Sequence, residues 1–346
     1  MPKISVVIPT KNRSALLAET IERVESQTVP KDHYEVVIID NNSTDDTRAV
    51  LEQKARIYSN FKFDFQKKPG AAATRNAGIR LATSDLILFI DDDVQAEPEL
   101  VEAHLHCHSS NLNTSVIGAV SMPWGDTSDP FLKYLRDHCI LNPYTLAKGP
   151  IDFSYYHTGN VSTPTQTLLD VGCFNESFKM YGMEDIELGY RLERAGCRMA
   201  FAPDARAVHY RFPSYHDFIG RSEQAGYSLG QLIQLHPELK KRFVEGSRIG
   251  RHLKHIHPLY RWTAAAMSPV FTLLTQWEGT RGTARLTRLM DAHYNWSIRY
   301  HFFLGYHRYS KDHGIRRDLG TSIQPALAKK YQIKPEERIV NVKVRR

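Results

Sequence analysis

The sequence predicts an α/β fold with a mostly parallel central sheet and helices on both of its faces. Short apolar runs typical of buried strands alternate with stretches of helical spacing through the first two thirds of the chain. The clearest run, Leu86–Ile90, leads directly into Asp91, Asp92 and Asp93. Open α/β sheets bind ligands outside the carboxyl ends of their strands, so this strand end is the predicted site.

The strand and helix segments repeat in a regular order. A strand over residues 4–8 is followed by a helix over 14–27, and a strand over 34–39 by a helix over 45–57. The later predicted elements are a strand at 61–65, a helix at 70–82, the central strand at 86–90, a helix from 98 to 108, a strand at 116–120, a helix from 182 to 195, a strand at 197–202 and a helix at 214–235. Residues 122–157 are rich in Pro, Gly and Tyr and are predicted to be irregular.

Composition indicates an ordinary globular protein with an uneven distribution of charge. The 346 residues are 42% hydrophobic and 24% charged. Residues 1–239 carry 23 Lys and Arg against 31 Asp and Glu, whereas residues 240–346 carry 22 against 7. A basic C-terminal third suits contact with an anionic membrane surface or with nucleic acid.

The cysteines and the N-terminus favour a cytoplasmic protein. The four cysteines include no Cys-x-x-Cys pair, which argues against a zinc site and a disulfide framework. The first residues enter a strand pattern without a signal peptide, and no apolar stretch reaches the roughly 18 residues of a membrane span. We therefore expect a cytoplasmic location, and the basic C-terminal third adds the expectation of contact at the inner face of the cell membrane.

The three adjacent carboxylates indicate a metal site. Ionised Asp91, Asp92 and Asp93 repel one another, so a partly enclosed crevice would hold them only at a cost unless a cation compensates. Mg2+ or Mn2+ with oxygen ligands suits this position and commonly binds a substrate phosphate as well. The alternative is a solvated acidic turn, which would not explain the buried run before it.

Further polar residues are predicted to lie at the same sheet edge. Asp40 ends the second strand, where it can bind a base or ribose, and Asn42 follows it. Gly70 allows close backbone approach before a helix N-terminus, Arg75 can bind phosphate oxygens, and Asn76 follows. The same residues also suit ordinary turns. The chain has no Gly-x-Gly-x-x-Gly and no P-loop motif, which disfavours dinucleotide dehydrogenases and P-loop NTPases.

Two acidic residues open the helix that begins after residue 182. Glu184 and Asp185 fall in its first turn, where the helix dipole stabilises carboxylates. The simplest interpretation is that they are helix-starting charges. The same position also suits a general base directed into the crevice.

Seven segments in fixed order carry a resemblance to a known family. They are Ser-Val-Val-Ile-Pro-Thr-Lys-Asn-Arg (5–13), Val-Ile-Ile-Asp-Asn-Asn-Ser-Thr-Asp (37–45), Pro-Gly-Ala-Ala-Ala-Thr-Arg-Asn-Ala-Gly (69–78), Leu-Phe-Ile-Asp-Asp-Asp (88–93), Gly-Asn-Val-Ser (159–162), Val-Gly-Cys-Phe-Asn-Glu (171–176) and Glu-Asp-Ile-Glu-Leu-Gly-Tyr-Arg-Leu (184–192). Together they resemble the inverting glycosyltransferases of family 2, which have a GT-A (Rossmann-like) fold. The resemblance covers roughly residues 3–210.

The resemblance implies a nucleotide-diphosphate-sugar donor, with UDP favoured, and a Mn2+ or Mg2+ ion. The metal ligands would be Asp91 and Asp93, with His209 completing the site, and Asp185 would be the catalytic base. The implied donor-binding residues are Pro9, Thr10, Arg13, Asp40, Asn42, Gly70, Arg75, Asn76, Asp91 and Asp92. The implied acceptor-binding residues are Trp124, Gly159, Asn160 and Glu184.

Two departures from the family pattern lie on the acceptor side. Thr163-Pro164-Thr165 stands where the family often has Arg, and Cys173 replaces the usual second Gly. They affect the identity of the acceptor, which is expected to be a saccharide or a lipid-linked saccharide in polysaccharide or glycoconjugate biosynthesis.

The predicted domains are a catalytic domain at 1–210, a helical, aromatic and basic region at 211–310, and a basic tail at 311–346. Residues 262–277 suit a helix in the membrane interface, and the alternative is a helical cap on the catalytic domain. Two other functions stay open. A sugar-phosphate nucleotidyltransferase would need a glycine-rich loop after the first strand, and a nucleic-acid-binding protein is disfavoured by the acidic first part.

Overall fold

In the computed structural model, residues 2–109, 113–138, 150–245 and 284–315 are described. Nine strands within these ranges form one sheet, in the order β3-β2-β1-β4-β8-β6-β9-β5, with β7 paired to β9. The strands are β1 (Ile4–Thr10), β2 (Tyr34–Asp40), β3 (Phe61–Phe65), β4 (Leu86–Ile90), β5 (Val94–Ala96), β6 (Thr114–Ser121), β7 (Pro150–Ile151), β8 (Asn160–Pro164) and β9 (Arg198–His209). Six share one direction, and β5, β7 and β8 run opposite, which confirms the mostly parallel sheet.

Helices cover both faces of the sheet. They are α1 (Ser14–Glu25), α2 (Thr47–Ile57), α3 (Ala71–Leu81), α4 (Leu100–Ser109), α5 (Pro130–Asp137), α6 (Thr165–Asp170), α7 (Glu184–Arg194), α8 (Tyr215–Leu235) and α9 (Ala284–Asp312). Successive residues of the central strand alternate between two apolar cores: Ile87 and Phe89 join one, and Leu88 and Ile90 join the other. This double burial is why the strand is an unbroken apolar run.

The strand register brings the predicted site residues to one edge. Thr10 pairs with Asp40 across β1 and β2, so these strands end at the same level. The antiparallel strand β8 begins at that edge, where Asn160 pairs with Ile90. Gly159, just before β8, therefore lies beside the acidic residues that follow β4.

The prediction of an irregular stretch at 122–157 is wrong in part. Residues 130–137 form α5, whose N-cap Asp129 accepts hydrogen bonds from the backbone N–H groups of Phe131 at 2.8 Å and Leu132 at 3.0 Å. Phe131 also packs edge-on against Tyr294 of α9. An amphipathic helix of two turns in a loop-like composition explains the difference. Residues 139–149 lie outside the described residues.

A buried polar network joins β8 to α4. The hydroxyl of Ser162 lies 2.8 Å from Nδ1 of His104 and 2.7 Å from Nε2 of His108. Nε2 of His104 lies 2.8 Å from Oδ1 of Asn160. A Cβ at Gly118 would overlap the Asn160 amide, so the glycine makes room for this side chain. Burial lowers the pKa of both imidazoles to about 4.

The C-terminal region is helical over its described part, as predicted. In the pair α8 and α9, a Cβ at Gly226 would overlap the carbonyl oxygen of Phe302, and one at Gly305 would overlap that of Glu223. The two helix backbones are therefore in direct contact. No helix in the described ranges combines the length and apolar character needed to cross a membrane. The proposed interfacial helix at 262–277 and the tail from 316 lie outside the described residues.

We expect acid to weaken the fold through the imidazoles of His104 and His108. Their pKa in the folded protein is about 4, below the ordinary value of 6.5, so the unfolded chain binds protons first as pH falls. The free energy of unfolding should therefore decrease as pH falls from about 6.5 to about 4, by about 2 kcal/mol per imidazole between about pH 7 and about pH 5. Urea denaturation across this range measures the loss.

The variant His104→Gln should remove about half of this pH-dependent loss. His106→Gln, at an exposed position on the same helix, is the matched control and should leave the pH dependence unchanged. Parallel pH profiles for the two variants would contradict the assignment.

Candidate active site

Arg75 joins the two acidic elements of the crevice. Its Nη2 donates to Oδ1 of Asp91 at 2.9 Å, and its Nη1 donates to Oε1 of Glu184 at 3.1 Å. Asp91 follows β4 and Glu184 begins α7, so one buried guanidinium fixes both. The ring of Phe174 lies 5.7 Å from it. Because both terminal nitrogens bind carboxylates, the prediction that Arg75 binds phosphate does not fit this arrangement.

Arg13 compensates the other two carboxylates of the triplet. Its Nη1 lies 2.7 Å from Oδ1 of Asp92 and 2.7 Å from Oδ2 of Asp93. The hydroxyl of Thr10 donates to Asp92 at 2.8 Å. The sequence analysis expected a cation to compensate the triplet, and Arg13, together with Arg75 at Asp91, supplies part of that compensation. Burial nevertheless raises the pKa of Asp92 to about 6, because Arg13 offsets only part of the desolvation.

Asp93 and His209 form the part of this edge that suits a metal ion. Nε2 of His209 lies 3.1 Å from Oδ1 of Asp93, with the distance but not the direction of a hydrogen bond, and is buried without a hydrogen-bond partner. An unpartnered imidazole nitrogen beside a carboxylate is a donor pair that a divalent cation can use. Asp91 pairs with Arg75 instead. Among the described residues, no three His, Cys, Asp or Glu side chains form a group that could hold a metal ion, so the predicted three-ligand set is brought together only in part.

Asp185 and Glu184 lie in the first turn of α7, as predicted. Nδ1 of His157 lies 3.3 Å from Oδ2 of Asp185, and the backbone N–H of Ile186 donates to its Oδ1 at 2.8 Å. Burial raises the pKa of Asp185, but His157 and Arg75 outweigh it, and the pKa is lowered. Burial and the charge of Asp185 instead raise the pKa of Glu184. Of the two, Asp185 is therefore the carboxylate that ionises more readily.

His157 is a site residue that the sequence analysis missed. Burial lowers its pKa, but the carboxylates of Asp185, Glu184 and Asp91 outweigh burial and raise it. The charged imidazolium is thus favoured beside Asp185. The available signal was its position two residues before Gly159, in the segment that enters β8 at the crevice.

The loops after β1 and β2 are tied together at the predicted nucleotide end of the crevice. Asp40 accepts a hydrogen bond from the N–H of Ser43 at 3.1 Å, and the Ser43 hydroxyl accepts one from the N–H of Asn12 at 2.8 Å. Oδ1 of Asn12 accepts from the N–H of Thr44 at 2.7 Å. Asp40 is buried and shapes this loop, whereas Asn42 is exposed with a φ of 62°. The sequence analysis had not singled out Asn12 or Ser43.

Helix α3 contributes its start and a structural amide. Gly70 caps the helix with a φ of 121°, a backbone conformation that side chains disfavour, and its N–H donates to Oδ1 of Asn41 at 3.1 Å. Asn76 is buried and exchanges two 2.9 Å hydrogen bonds with the backbone of Phe174. Its prediction as a donor-binding residue is therefore not supported by its position, because its amide links two loops.

The side chains of two predicted acceptor-side residues are buried within the fold. Trp124 is only 4% exposed, and its Nε1 donates to the carbonyl of Arg211 at 2.7 Å. Asn160 is fully buried, and its Nδ2 donates to the carbonyl oxygens of Ala119 at 3.2 Å and Ala205 at 2.9 Å. Neither side chain offers a free atom to an acceptor, so both assignments are corrected to structural roles.

The remaining predicted residues, Pro9, Gly159 and Glu184, lie at the edges of the crevice. Pro9 is partly exposed near the end of β1. A Cβ at Gly159 would lie 3.7 Å from Oδ2 of Asp91, so the glycine leaves this carboxylate oxygen open. Glu184 has an Oε2 atom that is buried without a hydrogen-bond partner.

The loop before α7 and the segment after β9 close the other side. The N–H of Tyr210 donates to the carbonyl of Asp93 at 2.7 Å. Burial raises the pKa of Tyr181 and Arg211 opposes this effect, while Arg211 also helps to lower the pKa of Asp93. Arg211 therefore adds positive charge beside the acidic strand end, a feature that the sequence analysis did not identify.

Two family models match the part of the sequence that contains these site residues. The family model described as glycosyl transferase family 2 matches residues 5–172, and the model described as N-terminal domain of galactosyltransferase matches residues 144–217. Validoxylamine A glucosyltransferase of Streptomyces hygroscopicus subsp. jinggangensis is 29% identical over 272 residues, which cover 69% of this chain and 62% of that protein. Chondroitin synthase of Escherichia coli is 26% identical over 283 residues, which cover 72% of this chain and 41% of that protein. The chain thus spans less than two thirds of the length of these relatives.

Solved structures share the fold. S. aureus TarS 1-349 in complex with UDP-GlcNAc has a TM-score of 0.54 and 17% identity, covering 90% of this chain and 92% of that one. Mannosyltransferase PcManGT from Pyrobaculum calidifontis, in complex with GDP-Man and Mn2+, has a TM-score of 0.50 and 18% identity, covering 91% and 86%. The predicted GT-A fold is confirmed.

We expect Arg75→Met to lower the free energy of unfolding by about 3 kcal/mol, because it leaves the carboxylates of Asp91 and Glu184 uncompensated. Urea denaturation at neutral pH measures this loss. The exposed pair between Arg48 and Glu52 has the same 2.9 Å separation, so Arg48→Met is the matched control and should change stability by less than about 1 kcal/mol. Equal decreases in the free energy of unfolding for the two variants would show that the buried ion pairs of Arg75 stabilise the protein no more than the exposed pair does.

Proposed function

We propose that the chain, which matches the glycosyl transferase family 2 model over residues 5–172, is a member of that family and transfers a sugar from a nucleotide-diphosphate sugar to an acceptor hydroxyl with inversion at the anomeric carbon. One observation carries the proposal. The acidic end of β4 and the acidic first turn of α7 meet in one crevice, where Arg75 joins Asp91 to Glu184. This arrangement sets a diphosphate-binding edge beside a candidate base.

The donor is proposed to be a UDP-sugar whose base binds near Pro9 and the loop that Asp40 shapes. The exposed Asn42, the N-terminus of α3 at Gly70 and the guanidinium of Arg13 are the groups available to it. The TarS structure contains UDP-GlcNAc and the PcManGT structure contains GDP-Man, which supports a nucleotide-sugar donor.

A divalent cation, Mn2+ or Mg2+, is proposed to bind between Asp93 and His209. The unpartnered Nε2 of His209 beside the carboxylate supports this assignment. Oxygens of the donor diphosphate, and Asp91 if it leaves Arg75, would supply further ligands. When bound, the ion neutralises charge that develops on the leaving diphosphate.

Asp185 is proposed to be the general base. It takes the proton from the acceptor hydroxyl as that oxygen bonds to the anomeric carbon, and the bond from this carbon to the diphosphate oxygen breaks. A single in-line displacement inverts the configuration. His157 holds Asp185 in its ionised form, and an acceptor hydroxyl would satisfy the unpartnered Oε2 of Glu184.

The acceptor is proposed to be a saccharide or a lipid-linked saccharide, in polysaccharide or glycoconjugate biosynthesis at the inner face of the cell membrane. The excess of basic residues in 240–346 supports contact with anionic lipid. The alternatives are disfavoured. The loop after β1 is closed by Asn12 and Ser43, not built from glycines as a nucleotidyltransferase would need, and the family match does not favour nucleic-acid binding.

We expect Asp185→Asn to lower the rate of sugar transfer by about 10²- to 10⁴-fold and to leave donor binding nearly intact, because the amide cannot accept the proton. UDP release from UDP-sugars with oligosaccharide acceptors measures the rate. Asp204→Asn, an exposed carboxylate on β9, is the control and should keep full activity. Wild-type turnover in Asp185→Asn would remove the assignment of the base.

We expect a cognate UDP-sugar with Mn2+ to raise the thermal midpoint, because a ligand at one hundred times its Kd adds about 2.7 kcal/mol to the free energy of unfolding. Chelation of the metal should reduce this shift. Asp93→Asn should abolish its metal-dependent part, whereas Asp85→Asn, at the exposed opposite end of β4, should not. An identical shift with and without metal would contradict the cation site, and no shift with any nucleotide sugar would contradict the donor proposal.

A further inference from the structure

A cavity of about 220 Å3 lies where α8 and α9 meet the loop before α7. It is separate from the residues to which the proposed reaction assigns a role. Its lining residues are Met180, Gly220, Glu223, Gln224, Tyr227, Gly305 and Arg308.

The cavity follows from how the two helices pack. Gly226 and Gly305 allow direct backbone contact between α8 and α9, which fixes the helices against each other. At Gly220, an exposed position earlier in α8, a Cβ would meet no atom within 4 Å, so the cavity is open to solvent on this side. The helices are therefore locked together beside a space that no side chain of the described residues fills.

The chemistry of the lining suits a neutral sugar. Tyr227 and Met180 offer apolar surface, and Gln224 offers an exposed amide. Glu223 and Arg308 pair with each other at 3.5 Å, so the cavity carries little net charge. A pyranose ring has an apolar C–H face and a rim of hydroxyls that matches this combination. The volume is below the roughly 300–1,000 Å3 of pockets for drug-sized ligands and suits one ring.

A short loop connects this cavity to the candidate base. Met180 lines the cavity, and Asp185 stands five positions later. Between them, the carbonyl of Tyr181 accepts a hydrogen bond from the hydroxyl of Ser228 at 3.2 Å, which seats the loop on α8. Tyr181 is 47% exposed, and the guanidinium of Arg221 lies 5.4 Å from the centre of its ring. An exposed aromatic ring thus lies between the two sites.

We propose that the cavity between α8 and α9 is an acceptor subsite that binds one neutral pyranose ring, at least one sugar removed from the hydroxyl that reacts. Its role in acceptor binding rests on the proposed sugar transfer, whereas occupancy by a saccharide can be tested separately. The aromatic ring of Tyr181 would support the part of the saccharide that runs from the cavity to Asp185.

The test uses the methyl group of Met180 as a reporter on the cavity wall. We expect its NMR signal, assigned with Met180→Leu, to shift saturably on titration with methyl β-glucoside, methyl N-acetyl-β-glucosaminide, cellobiose or chitobiose. The signal of Met199, buried in the core, should not move. Gly220→Trp fills the open space and should abolish the shift, whereas Gly220→Ala is the matched control and should retain it.

The proposal is overturned if no saccharide shifts the Met180 signal, or if the shift persists in Gly220→Trp. It is also overturned if an octyl detergent shifts the Met180 signal and the saccharides do not, which would indicate a lipid site. Stabilisation by UDP-sugars is measured on the same samples. Its absence contradicts the proposed function and leaves the meaning of the Met180 signal unchanged, so the two failures are distinguishable.

Discussion

The buried guanidinium of Arg75 is the interaction on which the crevice depends. Two carboxylates from distant parts of the chain, Asp91 and Glu184, approach each other in a partly buried space, which is unfavourable unless a cation lies between them. Arg75 supplies that charge from a third element, α3. The end of β4 and the first turn of α7, which the proposed function assigns to donor and acceptor, are therefore joined through one side chain.

The antiparallel strand β8 sets the opposite wall of the crevice. Its direction brings Gly159 beside Asp91, but it also places the polar side chains of Asn160 and Ser162 inside the protein. Neutral imidazoles from α4 satisfy them, because a charged His104 would be buried without a counter-ion. Protonation of these histidines therefore destabilises the wall, and the hydrogen bonds of Asn160, which lies next to the crevice, are made within the fold.

The sequence predicted what depends on local pattern. Short apolar runs that alternate with stretches of helical spacing predicted the sheet and the helices that cover it. The acidic residues after residue 183 predicted the first turn of α7. It could not give partners that depend on distant contacts. Arg75 suits phosphate and carboxylate equally, and only the fold decides between them. A Trp in a loop-like stretch, such as Trp124, suits a buried position and a ligand-binding position equally. The strand β8 is short and polar, so no apolar run in the sequence predicts it.

The two adjacent carboxylates at the start of α7 differ in how readily they ionise. Both are near Arg75, so that charge alone cannot separate them. His157 contacts Asp185 and not Glu184, which stabilises the ionised form of Asp185. The negative charge of Asp185 then makes ionisation of its buried neighbour less favourable, so Glu184 retains its proton more readily. On the proposed function, the imidazole of His157 therefore selects Asp185 as the carboxylate that accepts the proton.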